Sequence, residues 1–312
     1  MTANTTTDST TRVEDLYPSR VKQQPEFLGR RDPVVYGDAQ NGPLNAEQLE
    51  QFDRDGFLLL PGFYTNQQVS LCHQELDRLR DSEQIRQRPE AIVEPDGSAL
   101  RSLFAVHRPE ISTRFSQVAA DKRILEMVMQ VLGSEVYIHQ SRVNLKPGFA
   151  GKEFFWHSDF ETWHVEDGLP RMRTVSCSLL LDDNHEFNAP LMLLPGSHRQ
   201  YVTCVGQAPE NHYQSSLKQQ KYGVPDPESL TQLVQEYGIT QAAGPAGSLL
   251  LFDCNTMHGS NGNITPYPRS NLFFVYNSIW NQLANPFCNQ KPRPEFIASR
   301  EFSNTMKPRE FI

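Results

Sequence analysis

The hydrophobic positions in the first 133 residues recur mainly at helical spacing. In PLNAEQLEQFDRDGF, Asn45 is a candidate helix cap and Gly56 a candidate stop, and Leu and Phe form an apolar edge between them. A second helix is predicted from about Asn66 and a third over Asp121 to Leu132. The apolar positions are Val69, Cys72, Leu76 and Leu79 in the second helix and Ile124, Leu125, Val128, Val131 and Leu132 in the third. Between the first two helices, FLLLPGF predicts a short buried strand that ends at Pro61.

From Glu135 onward the pattern changes to β-strands. The runs VYIHQSRVNLK, MRTVSCSLLL, PLMLLPGSH, GSLLLFD and SNLFFVYNSIW are rich in Val, Leu and Phe and are bounded by Pro, Gly and Asn. A helical part followed by antiparallel strands predicts an α+β protein that is mainly β, a sandwich or jelly roll with helices packed outside it. The sequence contains neither a fixed-period repeat nor a G-x-G-x-x-G phosphate loop.

The strand predicted from Val136 to Lys146 has one polar face. Its alternation places Gln140, Arg142, Asn144 and Lys146 on that face and Tyr137, Val143 and Leu145 on the other. On a lone strand such a face ordinarily meets solvent, whereas a barrel that holds a charged ligand needs a polar interior. This strand alone leaves both interpretations open.

Length and composition narrow the class of protein. A chain of 312 residues can bury a large core and allows one elaborated domain or two small ones, and no feature favours two. Charged residues make up 21% and hydrophobic residues 38%, as in a soluble globular enzyme. Because the net charge is -8 and no long Lys/Arg run occurs, we predict no nucleic-acid partner.

The N-terminus and the cysteines bear on location. The polar, Thr-rich start MTANTTTDSTTR predicts a disordered segment over residues 1–12 rather than a signal peptide, and no apolar stretch reaches transmembrane length. We therefore predict no membrane partner.

The cysteines indicate the redox environment. They are odd in number and lack C-x-x-C spacing, which favours reduced thiols and a cytoplasmic protein; they are Cys72, Cys177, Cys204, Cys254 and Cys288.

Candidate metal ligands occur in FFWHSDFETWH, which runs from Phe154 to His164. His157 and Asp159 are two positions apart, so on a strand both side chains would project from one face. An isolated His-x-Asp is more often a hydrogen-bonded pair, but His258 offers a third ligand at the end of an apolar strand. Two histidines and one carboxylate on one face of an octahedron leave three adjacent positions open, as in non-haem Fe(II) oxygenases.

An arginine strengthens this interpretation. Arg269 follows His258 by eleven residues and opens the next predicted strand. Its guanidinium can hold a carboxylate through two charge-assisted hydrogen bonds, each worth about 1.5–3 kcal/mol. A purely structural metal site has no use for such a clamp, so Arg269 argues against a non-catalytic metal-binding sensor.

At these residues the sequence resembles the Fe(II)- and 2-oxoglutarate-dependent dioxygenases of the phytanoyl-CoA hydroxylase type. Within them, FFWHSDFETWHVEDGLPRMRTVSCSLLLDDN is similar to the signature of the ectoine hydroxylases, as are NAPLMLLPGSH and FDCNTMHGSNGNITPYPRSN. The similarity extends from Val13 to about Pro286 and includes VEDLYPSR near the start. The metal-binding positions show no departure from the family's pattern.

The resemblance implies a double-stranded β-helix, which is a jelly-roll, cupin-like core. We expect a single dioxygenase domain over residues 13–312. Its predicted parts are a helical N-terminal part to about 133, the jelly-roll core over about 134–285, and a C-terminal extension. A homodimer is the expected assembly.

The resemblance also implies the cofactors and their ligands. His157, Asp159 and His258 would hold Fe(II) and form the catalytic centre. 2-Oxoglutarate would chelate the metal through its keto acid end, and its far carboxylate would meet Arg269 and Ser176; O2 is the second cosubstrate. Ser176 alternates with Val175 and Cys177, so it can face inward while they face outward. Asn144, Phe154 and Ser260 would line the cosubstrate, with plain packing as the alternative.

The substrate implied by the resemblance is ectoine, a small cyclic solute with a carboxylate and a cationic amidine. The implied product is 5-hydroxyectoine, a solute that protects bacteria under stress. In this reaction 2-oxoglutarate is decarboxylated to succinate and CO2. Trp163 would supply an aromatic face for the cation and Gln140 a hydrogen bond to the ring. A core tryptophan beside His164 is the alternative for Trp163, and the same chemistry on a free amino acid is the alternative for the substrate. Glu161, His164, His185 and His198 are expected to be supporting or surface groups rather than further ligands.

Overall fold

The computed structural model describes residues 13–94, 99–211, 213–216 and 222–311, and the segment predicted to be disordered, 1–12, lies outside them. The helices are α1 (Ala46–Asp55), α2 (Asn66–Asp81), α3 (Glu83–Arg86), α4 (Thr113–Ala119), α5 (Lys122–Leu132), α6 (Asp159–Thr162), α7 (Tyr213–Ser216) and α8 (Pro227–Tyr237). A π-helical turn (Trp163–Asp167) follows α6, and a 3-10 turn spans Ser197–Arg199.

The strands are short except for the two that cross the centre of the protein. They are β1 (Phe27–Gly29), β2 (Phe57–Leu60), β3 (Ala91–Val93), β4 (Leu100–Phe104), β5 (Val136–Lys146), β6 (Phe154–His157), β7 (Thr174–Leu180), β8 (Met192–Leu193), β9 (Gln200–Val202), β10 (Thr240–Gln241), β11 (Leu249–Asp253), β12 (His258–Ser260) and β13 (Arg269–Ser278). The long strands β5 and β13 pair antiparallel over ten residue pairs, beginning with Arg269 opposite Lys146.

The three long helices predicted from periodicity are confirmed. Asn45 caps α1 in a capping box, and Gly56 ends it in the left-handed conformation (φ 80°). The buried residues of α2 are the four apolar positions that its spacing predicted. Asp121 caps α5 and Gly133 ends it, also left-handed. Local patterns therefore determine these helices.

Two antiparallel sheets form the core. The larger sheet runs β2-β11-β7-β13-β5-β4-β3 and the smaller runs β10-β8-β12-β6 among the described strands. Leu193 of the smaller sheet packs in one cluster with Leu250 and Phe252 of the larger, so the sheets face each other. Two such sheets, in which neighbouring strands are distant in sequence, are a jelly roll with the double-stranded β-helix architecture that was predicted.

The helices cover the outer face of the larger sheet. Val175 and Cys177 of β7 lie in the same buried cluster as residues of α1, α2, α4 and α5. The intervening residues Ser176 and Ser178 alternate to the inner face, between the sheets, as the sequence predicted for Ser176. The inner face of the larger sheet is therefore the polar one.

The division predicted near residue 133 does not coincide with a boundary of the sheet. Strands β2, β3 and β4 all precede residue 133 and join the larger sheet. Strand β2 was predicted to be buried but lies at the edge of the sheet, where only Leu58 of its four residues is fully buried. Long-range pairing of short strands produces this arrangement, and local periodicity carries little information about it.

Strand β5 contains a bulge at His139. The register with β13 shifts by one residue there, so His139 has no partner in this ladder. The extra residue reverses the alternation, and Tyr137 consequently lies on the same face as Gln140. The prediction that placed Tyr137 with Val143 on the opposite face is wrong. The Tyr137 hydroxyl instead accepts a hydrogen bond from Asn277 (2.7 Å) on the inner side.

The C-terminal extension folds back along the domain. The backbone N–H of Met306 donates to the carbonyl of Val136 (2.8 Å), and that of Arg309 donates to the carbonyl of Ala120 (2.8 Å).

Within the described ranges, no helix is both long and apolar enough to span a membrane. All five cysteines are free thiols, as predicted.

Candidate active site

His157, Asp159 and His258 meet at one point between the two sheets. One potential ligand atom from each lies within 4.8 Å of the other two. The two histidines are more than a hundred residues apart in sequence, but they are direct partners in the antiparallel pair of β6 and β12. Within the described part of the chain this is the only cluster of three such side chains with that geometry.

Hydrogen bonds to the backbone fix both imidazoles. Nδ1 of His157 lies 2.7 Å from the carbonyl of Phe155, and Nδ1 of His258 lies 2.9 Å from that of Thr256. Since a carbonyl only accepts, each Nδ1 carries the proton and each Nε2 presents its lone pair. The Nε2 atoms lie 3.6 and 3.8 Å from the Asp159 carboxylate. This tautomer is the one that a metal ligand requires.

Asp159 reaches the cluster by a different route from the one predicted. Strand β6 ends at His157, and Asp159 begins α6 after the extended residue Ser158. The prediction that both side chains project from one strand is therefore wrong, although the two residues do converge. One extended residue, Ser158, separates the strand from the helix, and the Asp159 carboxylate at the start of the helix lies 3.6 Å from Nε2 of His157.

The charge states of the cluster suit a divalent cation. Burial would raise the pKa of Asp159, but His258, His157 and Arg142 together hold it well below its usual range. Burial, and to a lesser degree His157, lowers the pKa of His258 to about 4 against the opposing effect of Asp159. The cluster thus offers one carboxylate and a neutral imidazole at His258, a donor set that fits first-row divalent metals.

A second feature is a pair of buried basic side chains at one end of the inner face. Lys146 ends β5, Arg269 opens β13, and the two are direct partners in the ladder. They are 2% and 3% exposed. Among the described residues neither forms an ion pair, and Nε of Arg269 has no hydrogen-bond partner. Because unpaired buried cations are costly, this end of the site is built for an anion.

The surroundings of Lys146 depress its basicity. Its ammonium donates to Oγ of Ser260 (2.8 Å) and to the carbonyl of Asn261. Burial, followed by the repulsion of Arg269 and Arg101, lowers the pKa of Lys146 to about 6. Burial likewise lowers the pKa of Arg269 to about 10, and Asp182 partly opposes this shift. Lys146 was placed on the polar face by sequence, but not among the ligands of the cosubstrate.

The predicted cosubstrate residues divide into two groups. Asn144, Phe154 and Ser260 surround Lys146: Ser260 accepts its hydrogen bond, and the ring of Phe154 lies 5.4 Å from Nζ. The amide oxygen of Asn144, two positions before Lys146 on the same face, accepts from Ser102 (2.7 Å).

Ser176 does not share this end of the site. It pairs with Val275, six positions from Arg269 along β13, or roughly 20 Å of strand. Asn271 lies 3.1 Å from Oγ of Ser178 and, with its amide oxygen turned toward the arginine, 3.3 Å from Nη1 of Arg269. The structure therefore connects Arg269 to Ser178 and not to Ser176. The hydroxyl of Ser176 has no hydrogen-bond partner in the described part of the chain and remains available to a ligand deeper between the sheets.

The two predicted substrate residues lie away from Lys146 and Arg269: Gln140 is six positions before Lys146 on β5, and Trp163 is in the π-helical turn that follows α6. The Gln140 amide donates to the carbonyl of Ile297 (2.8 Å) and accepts from Arg142 (3.2 Å). Trp163 is 3% exposed and belongs to an apolar cluster, which is the packing that the core alternative predicted. Its indole lies edge-on to His139, with ring centroids 5.1 Å apart.

Two further polar residues of the signature, Glu161 and His164, bind side chains from the N-terminal part of the chain. Glu161 accepts two hydrogen bonds from Arg20 (2.6 and 2.9 Å), and His164 lies 2.9 Å from Asp15. They are supporting groups, as expected. His198 is buried with a ring nitrogen 3.0 Å from the carbonyl of Asp53, and His185 stacks on Phe187. The partners of Glu161, His164 and His198 are more than a hundred positions away in sequence, so motif spacing does not reveal them.

A jelly roll that carries two histidines and an aspartate on its inner face defines the cupin-like class with a two-histidine, one-carboxylate site. The sequence matches the phytanoyl-CoA dioxygenase (PhyH) family over residues 52–271. The chain belongs to this family.

Close relatives within the family share most of the chain. The ectoine dioxygenase of Stutzerimonas stutzeri is 55% identical over 288 residues, which cover 92% of this chain and 95% of the relative. The crystal structure of EctD from S. alaskensis with bound Fe superposes with a TM-score of 0.85 at 43% identity, covering 95% of this chain and 99% of that one. The structure of EctD with 2-oxoglutarate and 5-hydroxyectoine also gives 0.85, at 44% identity and the same coverage.

Proposed function

We propose that this chain is an Fe(II)- and 2-oxoglutarate-dependent dioxygenase that hydroxylates ectoine to 5-hydroxyectoine and releases succinate and CO2. The convergence of His157, Asp159 and His258 in a chain 55% identical to an ectoine dioxygenase carries this conclusion. The buried cation pair on the same inner face supports it, because a dicarboxylic cosubstrate supplies the missing anion.

The roles of the metal-site residues follow from their geometry. His157 and His258 would donate through Nε2 and Asp159 through its carboxylate, so the protein contributes a net charge of -1 to Fe(II). When bound, the iron would supply O2 activation coupled to oxidative decarboxylation of the keto acid. The backbone carbonyls of Phe155 and Thr256 keep both imidazoles in the tautomer that this binding needs.

At the basic end of the inner face, Arg269 and Lys146 would bind the far carboxylate of 2-oxoglutarate. Asn144, Phe154 and Ser260 would shape the space around it. Ser176 would contact a ligand further along the inner face rather than share the carboxylate with Arg269.

On the other side, Trp163 and Gln140 would orient the cyclic substrate, with Arg142 as a further cation. The Nε atom of Arg142 has no partner among the described residues, and its guanidinium helps to lower the pKa of Asp159. A carboxylated substrate carries a group that this guanidinium can bind.

We expect Trp163→Phe and Gln140→Ala to weaken ectoine binding while they leave iron and 2-oxoglutarate binding intact. Phe keeps an aromatic face that is poorer for a cation than an indole, so Trp163→Phe should cost part of the about 0.5–2 kcal/mol of the full contact, at most roughly thirtyfold in Kd. A misplaced substrate should also separate 2-oxoglutarate consumption from hydroxylation. The ratio of succinate to 5-hydroxyectoine measures this, and Trp280→Phe, at an indole that is 73% exposed, is the matched control. Parental affinity and ratio in both variants would make these residues core packing only.

The affinity for 2-oxoglutarate should fall as the pH rises above about 6. Because the pKa of Lys146 is about 6 without ligand, its amine is largely neutral at pH 7, and a bound carboxylate favours the charged form. Binding then takes up a proton, and the apparent Kd should rise up to about tenfold per pH unit above 6. Lys146→Met should flatten this dependence, whereas Lys152→Met, at an exposed lysine, should keep it. An unchanged slope in Lys146→Met would remove Lys146 from the site.

The substrate is tested by offering the iron-loaded protein ectoine, proline and other free amino acids together with O2 and 2-oxoglutarate. We expect hydroxylation of ectoine to dominate. If proline were hydroxylated and ectoine left untouched, the chemistry would hold and the substrate would be wrong. A cytoplasmic location and a homodimer remain part of the proposal; the free cysteines support the first, and sedimentation would test the second.

A further inference from the structure

The helical segment that follows the metal cluster is held by a residue of the C-terminal extension. This segment, residues 159–167, begins with Asp159 and contains Trp163. Arg293 donates two hydrogen bonds to the Asp167 carboxylate, at 2.7 and 2.6 Å. The side chain of Asp167 is fully buried and that of Arg293 is 9% exposed. Such a bidentate pair fixes the position and plane of the carboxylate.

The carboxylate of Asp167 in turn faces His139. Its Oδ2 lies 3.5 Å from Nε2 of His139, which is also fully buried. Neither ring nitrogen of His139 makes a hydrogen bond with another described residue. Asp167 is therefore the charged group that orients this imidazole, since the carboxylate favours the tautomer with the proton on Nε2.

The imidazole then contacts the indole of Trp163. The two rings meet edge-on, at 5.1 Å and an interplanar angle of 71°. The bulge in β5 makes this contact possible, because it turns His139 and Gln140 together to the inner face. A β-bulge changes the direction in which a side chain points, and here it directs His139 toward the indole of Trp163.

The C-terminal extension also forms hydrogen bonds with the bulge and with the end of the helical segment, mainly through its backbone. The N–H of Ser299 donates to the carbonyl of His139 (2.8 Å), and the carbonyl of Ile297 accepts from Gln140 (2.8 Å). Arg300 donates to the carbonyl of Asp167 (2.6 Å). Four residues of the extension, all between 293 and 300, thus contact either the bulge or the end of the helical segment.

We propose that Arg293, Asp167 and His139 are positioning residues that act in series on Trp163: the guanidinium fixes the carboxylate, the carboxylate fixes the imidazole, and the imidazole fixes the indole. The assignment of Trp163 to the substrate rests on the proposed function, whereas the series itself is a property of the fold. The C-terminal extension accordingly supports the substrate side of the site.

The first test follows the indole without any substrate. Replacing Trp156 and Trp280 by Phe leaves Trp163 as the single tryptophan, and its emission should resist quenching by acrylamide because it is 3% exposed. His139→Phe keeps an aromatic ring against the indole but removes the nitrogens that face Asp167. We expect this variant to raise the quenching constant severalfold. An unchanged constant would overturn the proposal.

Tyr64→Phe is the matched control. Like His139→Phe, it removes a polar atom beside a buried aspartate, and in both cases that aspartate still binds an arginine. Tyr64 donates to Asp121 (2.6 Å), which Arg123 also binds, in the helical layer outside the larger sheet. It should lower the melting temperature without changing the quenching of Trp163. If it raised quenching as much as His139→Phe does, the effect would be general loosening and the proposal would fail.

The second test uses turnover and additivity. His139→Phe and Asp167→Asn should each raise the succinate formed per 5-hydroxyectoine and the KM for ectoine severalfold, with iron binding retained. Because the residues act in series, the double variant should be no worse than the worse single variant. Fully additive losses would contradict the series. If the parent protein failed to hydroxylate ectoine while quenching still responded to His139→Phe, the proposed function would fall and the positioning series would stand.

Discussion

Asp159→Ala should abolish hydroxylation and most iron binding while the protein stays folded. The carboxylate is the only anionic side chain of the metal cluster, and its low pKa keeps it charged throughout the physiological pH range. Loss of partners that merely orient a ligand costs about 10–100-fold in metal affinity, so loss of the ligand itself should cost at least about a hundredfold. Bound iron and activity measured on the same sample give the result.

The fold should survive because the cluster lies on strands whose pairing does not depend on a metal. His157 and His258 are joined by the β6–β12 ladder, and the large core lies on the other face of the larger sheet. Circular dichroism and melting temperature should therefore remain near parental values. Glu186→Ala, at an exposed carboxylate, is the control for loss of one acidic group. A folded Asp159→Ala protein that binds iron and hydroxylates at the parental rate would remove Asp159 from the metal site.

Arg269→Leu should raise the KM for 2-oxoglutarate far more than that for ectoine. Two charge-assisted hydrogen bonds to the far carboxylate would be lost, at least about 3 kcal/mol, or about a hundredfold or more. Arg171→Leu, at a side chain that is 46% exposed, should leave both constants unchanged. If the 2-oxoglutarate dependence stayed parental in Arg269→Leu, Lys146 or Arg142 would have to bind the carboxylate instead.

Although Arg269→Leu should weaken 2-oxoglutarate binding, it should not lower the stability of the ligand-free protein. Arg269 is buried without an ion pair among the described residues, so in the ligand-free protein its charge is a cost to folding. The free energy of unfolding of Arg269→Leu should therefore equal or exceed that of the parent when 2-oxoglutarate is absent. Added 2-oxoglutarate should stabilise the parent and not the variant, which a thermal shift measures directly.

Local patterns sufficed for the elements that depend on local physics. The caps at Asn45 and Gly56 and the apolar spacing of α2 predicted helices because a helix satisfies its backbone within a few residues. The inward position of Ser176 followed from alternation alone. The three metal-site candidates also converge as predicted, although an extended residue before a helical turn, and not a continuous strand, brings Asp159 to the histidines.

What the sequence left undetermined depends on register and on distant partners. The bulge at His139 exists only in the pairing of β5 with β13, so simple alternation misplaced Tyr137. The adjacency of Lys146 and Arg269 is likewise a fact of register, and the contact of Arg293 with Asp167 joins residues 126 positions apart. No pattern within a single strand or helix contains such information.

The most direct test of the account is turnover in isotopically labelled oxygen. The iron-loaded protein is mixed with ectoine, unlabelled 2-oxoglutarate and 18O2, and the incorporation of 18O into each product is measured by mass spectrometry. We predict one labelled oxygen in 5-hydroxyectoine and one in succinate, formed in equal amounts, because the two atoms of O2 are divided between substrate and cosubstrate. Unaltered ectoine, or succinate produced without any labelled hydroxyectoine, would contradict the assignment of this chain as an ectoine-hydroxylating dioxygenase.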